Sequence, residues 1–368
     1  MKIAALYSGR SQSQPVLLNQ LDKRLNIDLH LFRDNPKEDV PLSFDYKKYV
    51  LNVEGIEIRG KQTLWINQYI LRKKWRSYLR KHLDSSFDLV ITMNDLGPPS
   101  IMVAESYDIP SLFFIRNLES SGQEMYNPKT NILQNIQEAD FGATIQYPYF
   151  VKNFKKYKNG LQRATQPIAN SEYVASRLTE DFGVSSKIIY PPIKLNNYKV
   201  EYSSEGSIGM VGAKNKDKGA DIFFDIVEAM PSESFVSAGN IRDQGLKERA
   251  ESLDNLTHMG YVKDMRDFYQ QTKLIVVPSR WNEAFGRAAA EPMVSGIPCV
   301  VSNRGGLPEV VGDTGEIVSE ISSTKAWINA IRRGLTNHDS DAQKQRAKRF
   351  SADKQGERLV KIAKSVVS

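Results

Sequence analysis

Short runs of apolar residues alternate with longer amphipathic runs along the chain, and this alternation restricts the possible folds more than any other feature of the sequence. Such short apolar runs are typical of parallel strands buried on both faces, which are joined by crossover helices. One series opens with residues 2–7 and a second with residues 207–212, each followed by a glycine and a helical pattern. The sequence therefore predicts an α/β protein with two Rossmann-like, doubly wound domains facing a cleft.

Further candidate strands follow each opening. They lie at 28–32, 87–93, 111–115, 167–170 and 187–190 in the first series, and at 234–238, 257–261, 273–277, 298–302 and 315–318 in the second. Pro191-Pro192 and the polar stretch 196–206 form a plausible linker, because a residue before proline disfavours helix and a stretch rich in Ser, Glu and Gly packs poorly. The predicted domains are residues 1–200 and 201–350.

The composition excludes several classes of protein and of site. No apolar run approaches the ~18 residues of a membrane-spanning helix, and the first residues do not resemble a signal peptide. The single Cys299 excludes a disulfide framework and suits a reducing cytosol. No two histidines have the spacing of metal ligands; they are His30, His82, His258 and His338. We therefore expect a cytoplasmic protein without a metal site.

The formal net charge of +7 is confined to the first half of the chain. Residues 1–200 contain 27 Lys and Arg against 20 Asp and Glu, whereas the rest of the chain contains 23 of each kind. This asymmetry suggests that the first half meets phosphates, nucleic acid or an anionic membrane, but a basic solvated face explains it equally well.

Two segments of the first half, 61–83 and 147–158, combine basic with aromatic residues. The first contains seven Lys and Arg and no acidic residue, with apolar residues at helical spacing. Basic helices of this kind suit an anionic membrane surface. The alternative is a helix whose apolar stripe faces the core while its lysines reach water. No nucleic-acid-binding motif is present, so we expect no nucleic acid partner.

A cationic loop follows the predicted strand at 207–212. Lys214, Lys216 and Lys218 precede Gly219 and a predicted helix. Lysines beside a helix N-terminus suit a phosphate or diphosphate, since both contribute positive potential. The alternative is an exposed turn rich in lysine, and the spacing of a Walker loop is absent.

A second group of polar residues follows the predicted strand at 273–277. Arg280 and Glu283 lie on the predicted loop, and Glu291 lies eight residues beyond Glu283, within a predicted helix. Carboxylates accept hydrogen bonds from vicinal hydroxyls such as those of a ribose or hexose. The backbone at 284–286, which is rich in small residues, would offer N–H groups to a phosphate at the start of the helix. Two glutamates at this spacing are, however, frequent by chance.

Taken in order, the motifs of the second half resemble those of glycosyltransferase family 4, a group of retaining enzymes with the GT-B fold. The series comprises Gly212, Lys218-Gly219, Gly239, Gly260 to Val262, Pro278-Ser279, Glu283 to Gly286, Glu291, Gly296 to Pro298 and Gly305 to Glu309. The two glutamates match the E-x7-E motif of that family. The resemblance is continuous over 207–320 and extends upstream through 168–174 and 188–192.

The resemblance implies a role for each residue of the donor site. Lys218 would hold the donor diphosphate, where negative charge develops on the leaving group. Glu291 would bind the ribose, and Glu283 would position the sugar and phosphate, so Glu283 and Lys218 are the catalytic candidates. The full donor-binding set is Gly212, Lys214, Lys218, Tyr261, Val262, Arg280, Glu283, Ala284, Phe285, Gly286 and Glu291. The acceptor-side candidates are Gly9, Arg10, Arg116 and Asn117.

The resemblance also implies the reaction and the partners. A sugar would pass from a nucleoside diphosphate sugar to a glycan or lipid-linked acceptor with retention at the anomeric carbon, in the synthesis of cell-surface polysaccharide or glycoconjugate. No cofactor and no metal are expected. The final segment, 351–368, would be a helix that packs back on the first domain. The expected location is the cytoplasm, with peripheral binding to the inner face of the membrane.

Three positions depart from the pattern of the family. Ala213 stands where an arginine is usual, Arg116-Asn117 stand where a histidine is usual, and Pro292 follows Glu291 inside the predicted helix. The first two favour an alternative function, a GT-B protein with weakened catalysis that serves as a binding or scaffold module. A GT-B epimerase is disfavoured because the motif series is that of the transferases.

Overall fold

The computed structural model describes residues 1–7, 13–33, 40–51, 64–118 and 141–368. These residues form two compact units, the first made of Met1–Tyr190 with Gln355–Ser368, and the second of Pro191–Lys354. The division falls at Pro191-Pro192, before the predicted boundary at residue 200. In the described part of the chain, no helix has the length and apolar character that crossing a membrane requires.

The first unit is built on one parallel sheet with the strand order β3-β2-β1-β4-β5-β6-β7. Its strands are β1 Lys2–Tyr7, β2 Asp28–Arg33, β3 Lys47–Val50, β4 Leu89–Met93, β5 Ser111–Ile115, β6 Gln166–Ala169 and β7 Lys187–Ile188. Its helices are α1 Ser13–Leu25, α2 Leu64–Leu79, α3 Gly97–Glu105, α4 Phe141–Arg163, α5 Glu172–Phe182 and most of α13 Ala352–Val367. The central strands are buried, as expected for a parallel sheet covered by helices.

Two apolar layers cover this sheet. In one layer, Leu18 of α1 and Leu359 and Ala363 of α13 pack with Ile3 and Leu89 of the sheet. The other layer contains Trp75 and Leu79 of α2, which are fully buried. The C-terminal helix is therefore part of the core of the first unit.

The second unit is built on a six-stranded parallel sheet with the order β10-β9-β8-β11-β12-β13. Its strands are β8 Ser207–Val211, β9 Phe235–Ala238, β10 Leu256–His258, β11 Thr272–Val277, β12 Cys299–Ser302 and β13 Glu316–Val318. Its helices are α6 Ala220–Ala229, α7 Gln244–Glu251, α8 Met265–Tyr269, α9 Arg287–Ala290, α10 Leu307–Val311, α11 Thr324–Thr336 and α12 Ser340–Ala347. The core contains Phe223 of α6 and Trp327 of α11, both fully buried.

The strand order of each sheet locates its ligand-binding edge. In the second unit, β8 lies between β9 and β11, so the chain leaves β8 on one side and returns to it on the other. In an open parallel sheet, ligands bind at the carboxyl ends of the strands where the order reverses in this way. That point lies after β8 and β11 in the second unit, and after β1 and β4 in the first.

Apart from shifts of one or two residues at strand ends, the observed elements differ from the predicted ones in three places. Strand β3 at Lys47–Val50 was not predicted, because its half-exposed sequence lacks an apolar run. Strand β10 ends at His258 rather than at residue 261. The predicted helix around Glu291 is split into α9 and a 3₁₀ helix at Pro292–Ser295, because proline cannot donate the backbone hydrogen bond that would continue the α-helix.

Candidate functional site

The loop after β8 is shaped by two glycines and an asparagine. Gly212 and Gly219 adopt φ of +80° and +77°, a region that favours glycine. The Asn215 side chain accepts a hydrogen bond from the backbone N–H of Lys218 at 3.2 Å, which closes a 3₁₀ turn over Lys216–Lys218. A Cβ atom on Gly219 would lie 1.9 Å from the carbonyl oxygen of Pro278. The loop is thus pressed against the end of β11.

This close approach brings together three side chains from the two loops. The Lys218 Nζ donates to Glu283 Oε1 at 2.6 Å, and the Ser279 hydroxyl donates to the same oxygen at 3.2 Å. Lys218 is 39% exposed and Glu283 is 20% exposed, so both are open to a ligand. A cation and a carboxylate therefore lie side by side at the point where the strand order reverses.

The loop that carries Glu283 is held by residues at the end of β12 and directly after it. The backbone N–H of Gly306 donates to the carbonyl oxygen of Glu283 at 2.7 Å, and the Ser302 hydroxyl donates to the carbonyl oxygen of Ser279 at 2.7 Å. A Cβ atom on Gly305 would lie 2.1 Å from the Glu283 carbonyl oxygen. Glycine is therefore required at 305 for this packing.

The other two cations predicted for the donor site lie in different surroundings. The Arg280 guanidinium is bound by Asp221 at 2.5 Å and by the carbonyl oxygen of Lys216 at 3.0 Å, so it braces the start of α6. Lys214 is exposed. Ala213, at the position where the family has arginine, is fully buried in the core of the unit.

Glu291 lies in a buried network. Its Oε1 accepts from the Arg287 Nε at 2.7 Å, and its Oε2 accepts from the Tyr269 hydroxyl at 3.3 Å. The same Arg287 donates to the Tyr198 hydroxyl oxygen at 2.9 Å. Glu291 itself is only 8% exposed. Both carboxylate oxygens are therefore already bound, and a ribose hydroxyl would have to share this carboxylate with Arg287 and Tyr269.

The pKa values of this network agree with its hydrogen bonds. Burial and the neighbouring Glu291 raise the pKa of both Tyr269 and Tyr198. Burial lowers the pKa of Arg287, but Glu291 and Tyr198 outweigh it, so the pKa of Arg287 is raised overall. The tyrosines stay neutral and Arg287 stays charged, so the network is stable across the physiological range.

The remaining donor-side candidates occupy the same edge of the sheet. Tyr261 and Val262 follow β10, and the Tyr261 side chain is 76% exposed. Phe285 is buried against Phe350, with ring centroids 5.0 Å apart. Ala284 is half-buried, and Gly286 adopts φ of +107° directly before α9.

The acceptor-side candidates are only partly described. Gly9 and Arg10 lie outside the described residues. The Arg116 guanidinium donates to the Ser13 hydroxyl at 3.2 Å, and its backbone N–H donates to the Asn94 side chain at 2.9 Å. Asn117 follows it and is half-buried.

Sequence reasoning missed one notable residue of the first unit, Arg33. It ends β2 and is fully buried, and its three side-chain nitrogens donate to none of the residues that the structure describes. Its guanidinium carbon lies 6.0 Å from the centroid of the Tyr7 ring. A charged residue at the carboxyl end of a central strand is the signal that would have identified it. Sequence reasoning also left Ser279, Arg287 and Tyr269 out of the site.

No group of three or more His, Cys, Asp or Glu side chains that could hold a metal ion occurs among the described residues. The expectation of metal independence stays a prediction.

Comparison with known proteins identifies a family match within the second unit and relatives of about half of the chain. Residues 205–337 match the family described as Glycosyl transferases group 1. Spore coat protein SA of Bacillus subtilis is 26% identical over 217 residues, which cover 49% of this chain and 58% of that protein. The lipopolysaccharide core biosynthesis mannosyltransferase LpsB of Rhizobium meliloti is 25% identical over 211 residues, or 50% of this chain and 60% of LpsB. The chain thus spans about half to two thirds of the length of the curated relatives it matches.

Solved structures resemble the whole chain. Sucrose-phosphate synthase from Thermosynechococcus elongatus has a TM-score of 0.72 at 16% identity, covering 99% of this chain and 98% of that one. Anabaena HepE in complex with UDP-glucose has a TM-score of 0.63 at 16% identity, covering 99% and 100%. At this level of identity the likeness concerns the fold, and the predicted fold class of two Rossmann-like α/β domains of the GT-B type is confirmed. Residues 205–337 thus match the Glycosyl transferases group 1 family, within a chain that has the GT-B fold.

Proposed function

We propose that the chain is a retaining glycosyltransferase that moves a sugar from a nucleoside diphosphate sugar to a glycan or lipid-linked acceptor in cell-surface polysaccharide or glycoconjugate synthesis. One observation carries the proposal. The Lys218–Glu283 pair lies where the strand order of a glycosyl transferases group 1 domain reverses. This is the edge of the sheet at which open α/β folds bind nucleotides.

In this proposal Lys218 binds the donor diphosphate. Departure of the nucleoside diphosphate leaves negative charge on the diphosphate oxygens, and a cation fixed beside them stabilises that charge in the transition state. Asn215 and Gly219 fix the backbone on either side of Lys218, so little reorganisation is needed when the charge develops. The reaction needs no metal in this scheme.

Glu283 has two roles in the proposal. Before the donor binds, it neutralises Lys218 through the 2.6 Å contact. When the diphosphate takes over Lys218, the Glu283 carboxylate is released to accept hydrogen bonds from hydroxyls of the donor sugar. Ser279 remains as its donor at 3.2 Å and keeps the carboxylate oriented. Attack from the front face of the sugar needs no protein nucleophile, and none is assigned.

The donor base and the acceptor come next in the proposal. The exposed ring of Tyr261 offers a stacking surface for a base. A uridine nucleotide is the first to test, because HepE was solved with UDP-glucose. We place the acceptor on the first unit, through Arg116 and Asn117. The protein works in the cytoplasm, where 61–83 and 147–158 contact the anionic inner face of the membrane.

The experiment is a panel of UDP-, GDP- and ADP-sugars, measured first by thermal shift. A bound donor raises the apparent melting temperature by mass action. Lys218→Met should abolish the shift given by the best donor, whereas Lys247→Met, which removes an exposed lysine on α7, should leave it unchanged. A full shift in Lys218→Met would refute the proposed diphosphate site.

The donor identified by this panel also distinguishes an active enzyme from a scaffold protein. Two departures from the family pattern support the scaffold alternative, the buried Ala213 in place of a cation and Arg116-Asn117 in place of a histidine. An active transferase releases free sugar slowly from the donor when no acceptor is present. Retention requires that this sugar first forms with the anomeric configuration of the donor, which NMR detects. A donor that binds but is never hydrolysed or transferred would favour the scaffold.

A further inference from the structure

A cationic cavity lies among three helices of the first unit, and none of the residues assigned to the acceptor lines it. Helices α2, α3 and α4 enclose a volume of about 290 Å³. This is close to the lower end of the range for small-molecule pockets, about 300–1,000 Å³. Five basic side chains line it, and no acidic side chain of the described residues does; the five are Arg72, Lys73, Arg76, Lys155 and Lys156.

Helical spacing brings these side chains to one place. Arg72 and Arg76 are one turn apart on α2, as are Lys155 and Asn159 on α4, so each pair shares a face of its helix. Arg72 is nearly fully buried, and Asp95 and the Asn153 side chain bind it at 3.2 and 3.0 Å. Arg72 is thus held in place by Asp95 and Asn153, and it lines the cavity together with the other four cations.

Of the five cations, only Arg72 has a carboxylate partner among the described residues, and Lys73 and Lys156 lie over the Tyr69 ring. The buried Nε of Arg76 donates to no residue in the described part of the chain. Burial lowers the pKa of Lys156, and the positive charges of Arg72, Lys73 and Arg76 lower it further, against the opposite effect of Tyr69. An anion in the cavity would remove this repulsion and give the Arg76 Nε an acceptor.

We propose that this cavity binds a phosphate group. Arginine offers a planar fork that matches two phosphate oxygens, and lysines add rotatable donors around it. Pro98, Pro99 and Met102 form an apolar wall of the same cavity. That wall suits the apolar group of a phosphate ester, so the ligand is a free phosphate compound or a phospholipid headgroup. The proposal concerns the first unit alone and does not depend on glycosyl transfer, but its five cations lie within 61–83 and 147–158, the segments proposed above to contact the membrane.

Lysine footprinting of the full chain tests the proposal. Acetylation of each lysine is measured by mass spectrometry with and without inorganic pyrophosphate, and with vesicles of phosphatidylglycerol or of phosphatidylcholine. Pyrophosphate or phosphatidylglycerol should protect Lys73, Lys155 and Lys156. Lys74 and Lys158 serve as internal references, because they lie on the same two helices but do not line the cavity.

Matched variants make the test decisive. Lys73→Gln with Lys156→Gln should weaken pyrophosphate or vesicle binding about tenfold or more, as expected for lost charge-assisted hydrogen bonds. Lys74→Gln with Lys158→Gln carries the same charge change and should bind nearly as tightly as the unmodified chain. Equal losses in the two double variants, or no loss in either, would overturn the proposal.

The remaining outcomes identify the ligand. Protection by pyrophosphate but not by vesicles supports a soluble phosphate compound, and protection by phosphatidylglycerol alone supports a lipid headgroup. No protection by either probe would overturn the proposal. The thermal shift given by UDP reports on the second unit and should be the same in both double variants, so failure of the proposed donor site is seen separately.

Discussion

The two glutamates of the E-x7-E motif should differ in what they contribute to stability. Glu291 is nearly fully buried and paired with Arg287, whose side chain is 29% exposed. Glu291→Gln keeps the shape but removes the charge, which should cost about 2 kcal/mol, the value of a hydrogen bond to a charged group in partly buried surroundings. For a unit of this size, that corresponds to a fall in melting temperature of roughly 4–8 °C.

Glu283→Gln is the matched control. Its partner Lys218 is 39% exposed and is solvated readily when the charge is lost, so the cost should stay below about 1 kcal/mol. Both variants are measured without donor by thermal and urea unfolding. If Glu291→Gln and Glu283→Gln have the same melting temperature within error, the buried ion pair does not stabilise the second unit and the prediction is wrong. A double variant, Glu291→Gln with Arg287→Met, should recover part of the loss, because no unpaired buried charge remains.

Three further predictions follow from single residues. Gly219→Ala should abolish donor binding and lower the free energy of unfolding by well over 1 kcal/mol, because the new Cβ would meet the Pro278 carbonyl. Gly260→Ala is the control: Gly260 has φ +64° but open space around it, so the variant should lose only about 1–2 kcal/mol. Equal melting temperatures for the two variants would contradict this prediction. Burial lowers the pKa of His258 below its ordinary value of 6.5, so the free energy of unfolding should decrease as the pH falls from about 7 towards the pKa of the folded state. His258→Asn should flatten this pH dependence of the melting temperature. An unchanged slope would contradict the prediction. Arg33→Met should raise the free energy of unfolding by about 1–3 kcal/mol, since it removes a fully buried guanidinium that bonds to none of the described residues; a lowered free energy of unfolding would contradict this.

The sequence predicted the fold well because fully buried strands alternate with amphipathic helices along the chain. This order of elements gives the alternation of short apolar runs with amphipathic runs in the sequence. The central strands β1, β4, β8 and β11 are buried throughout or nearly so, and each appears as an apolar run. Strand β3 was missed because it lies at the edge of the sheet, where Lys47 and Lys48 are exposed and no apolar run is needed.

The candidate site was predicted in part, for a different reason. Lys218 and Glu283 are 65 residues apart in sequence, and their contact depends on β8 and β11 being neighbours, which the strand order of a doubly wound sheet provides. The network of Glu291 depends on Tyr198, which lies within the predicted linker at 196–206 and contacts Arg287 of α9. Its partner Arg287 is four residues before Glu291 and could have been read from helical spacing. The contact between Tyr198 and Arg287 could not be predicted from the sequence, because no periodic pattern encodes the path of an irregular segment.

The placement of α13 in the first unit has a consequence for the order in which the protein is made. Residues 191–354 are continuous in sequence, so the second unit has all of its core as soon as they leave the ribosome. The first unit is synthesised earlier, yet it lacks Leu359 and Ala363 until the last helix emerges. Until then, the apolar surface around Ile3, Leu18 and Leu89 stays uncovered. The half made first is thus completed last, and its nascent form is the one most exposed to aggregation and most dependent on chaperones.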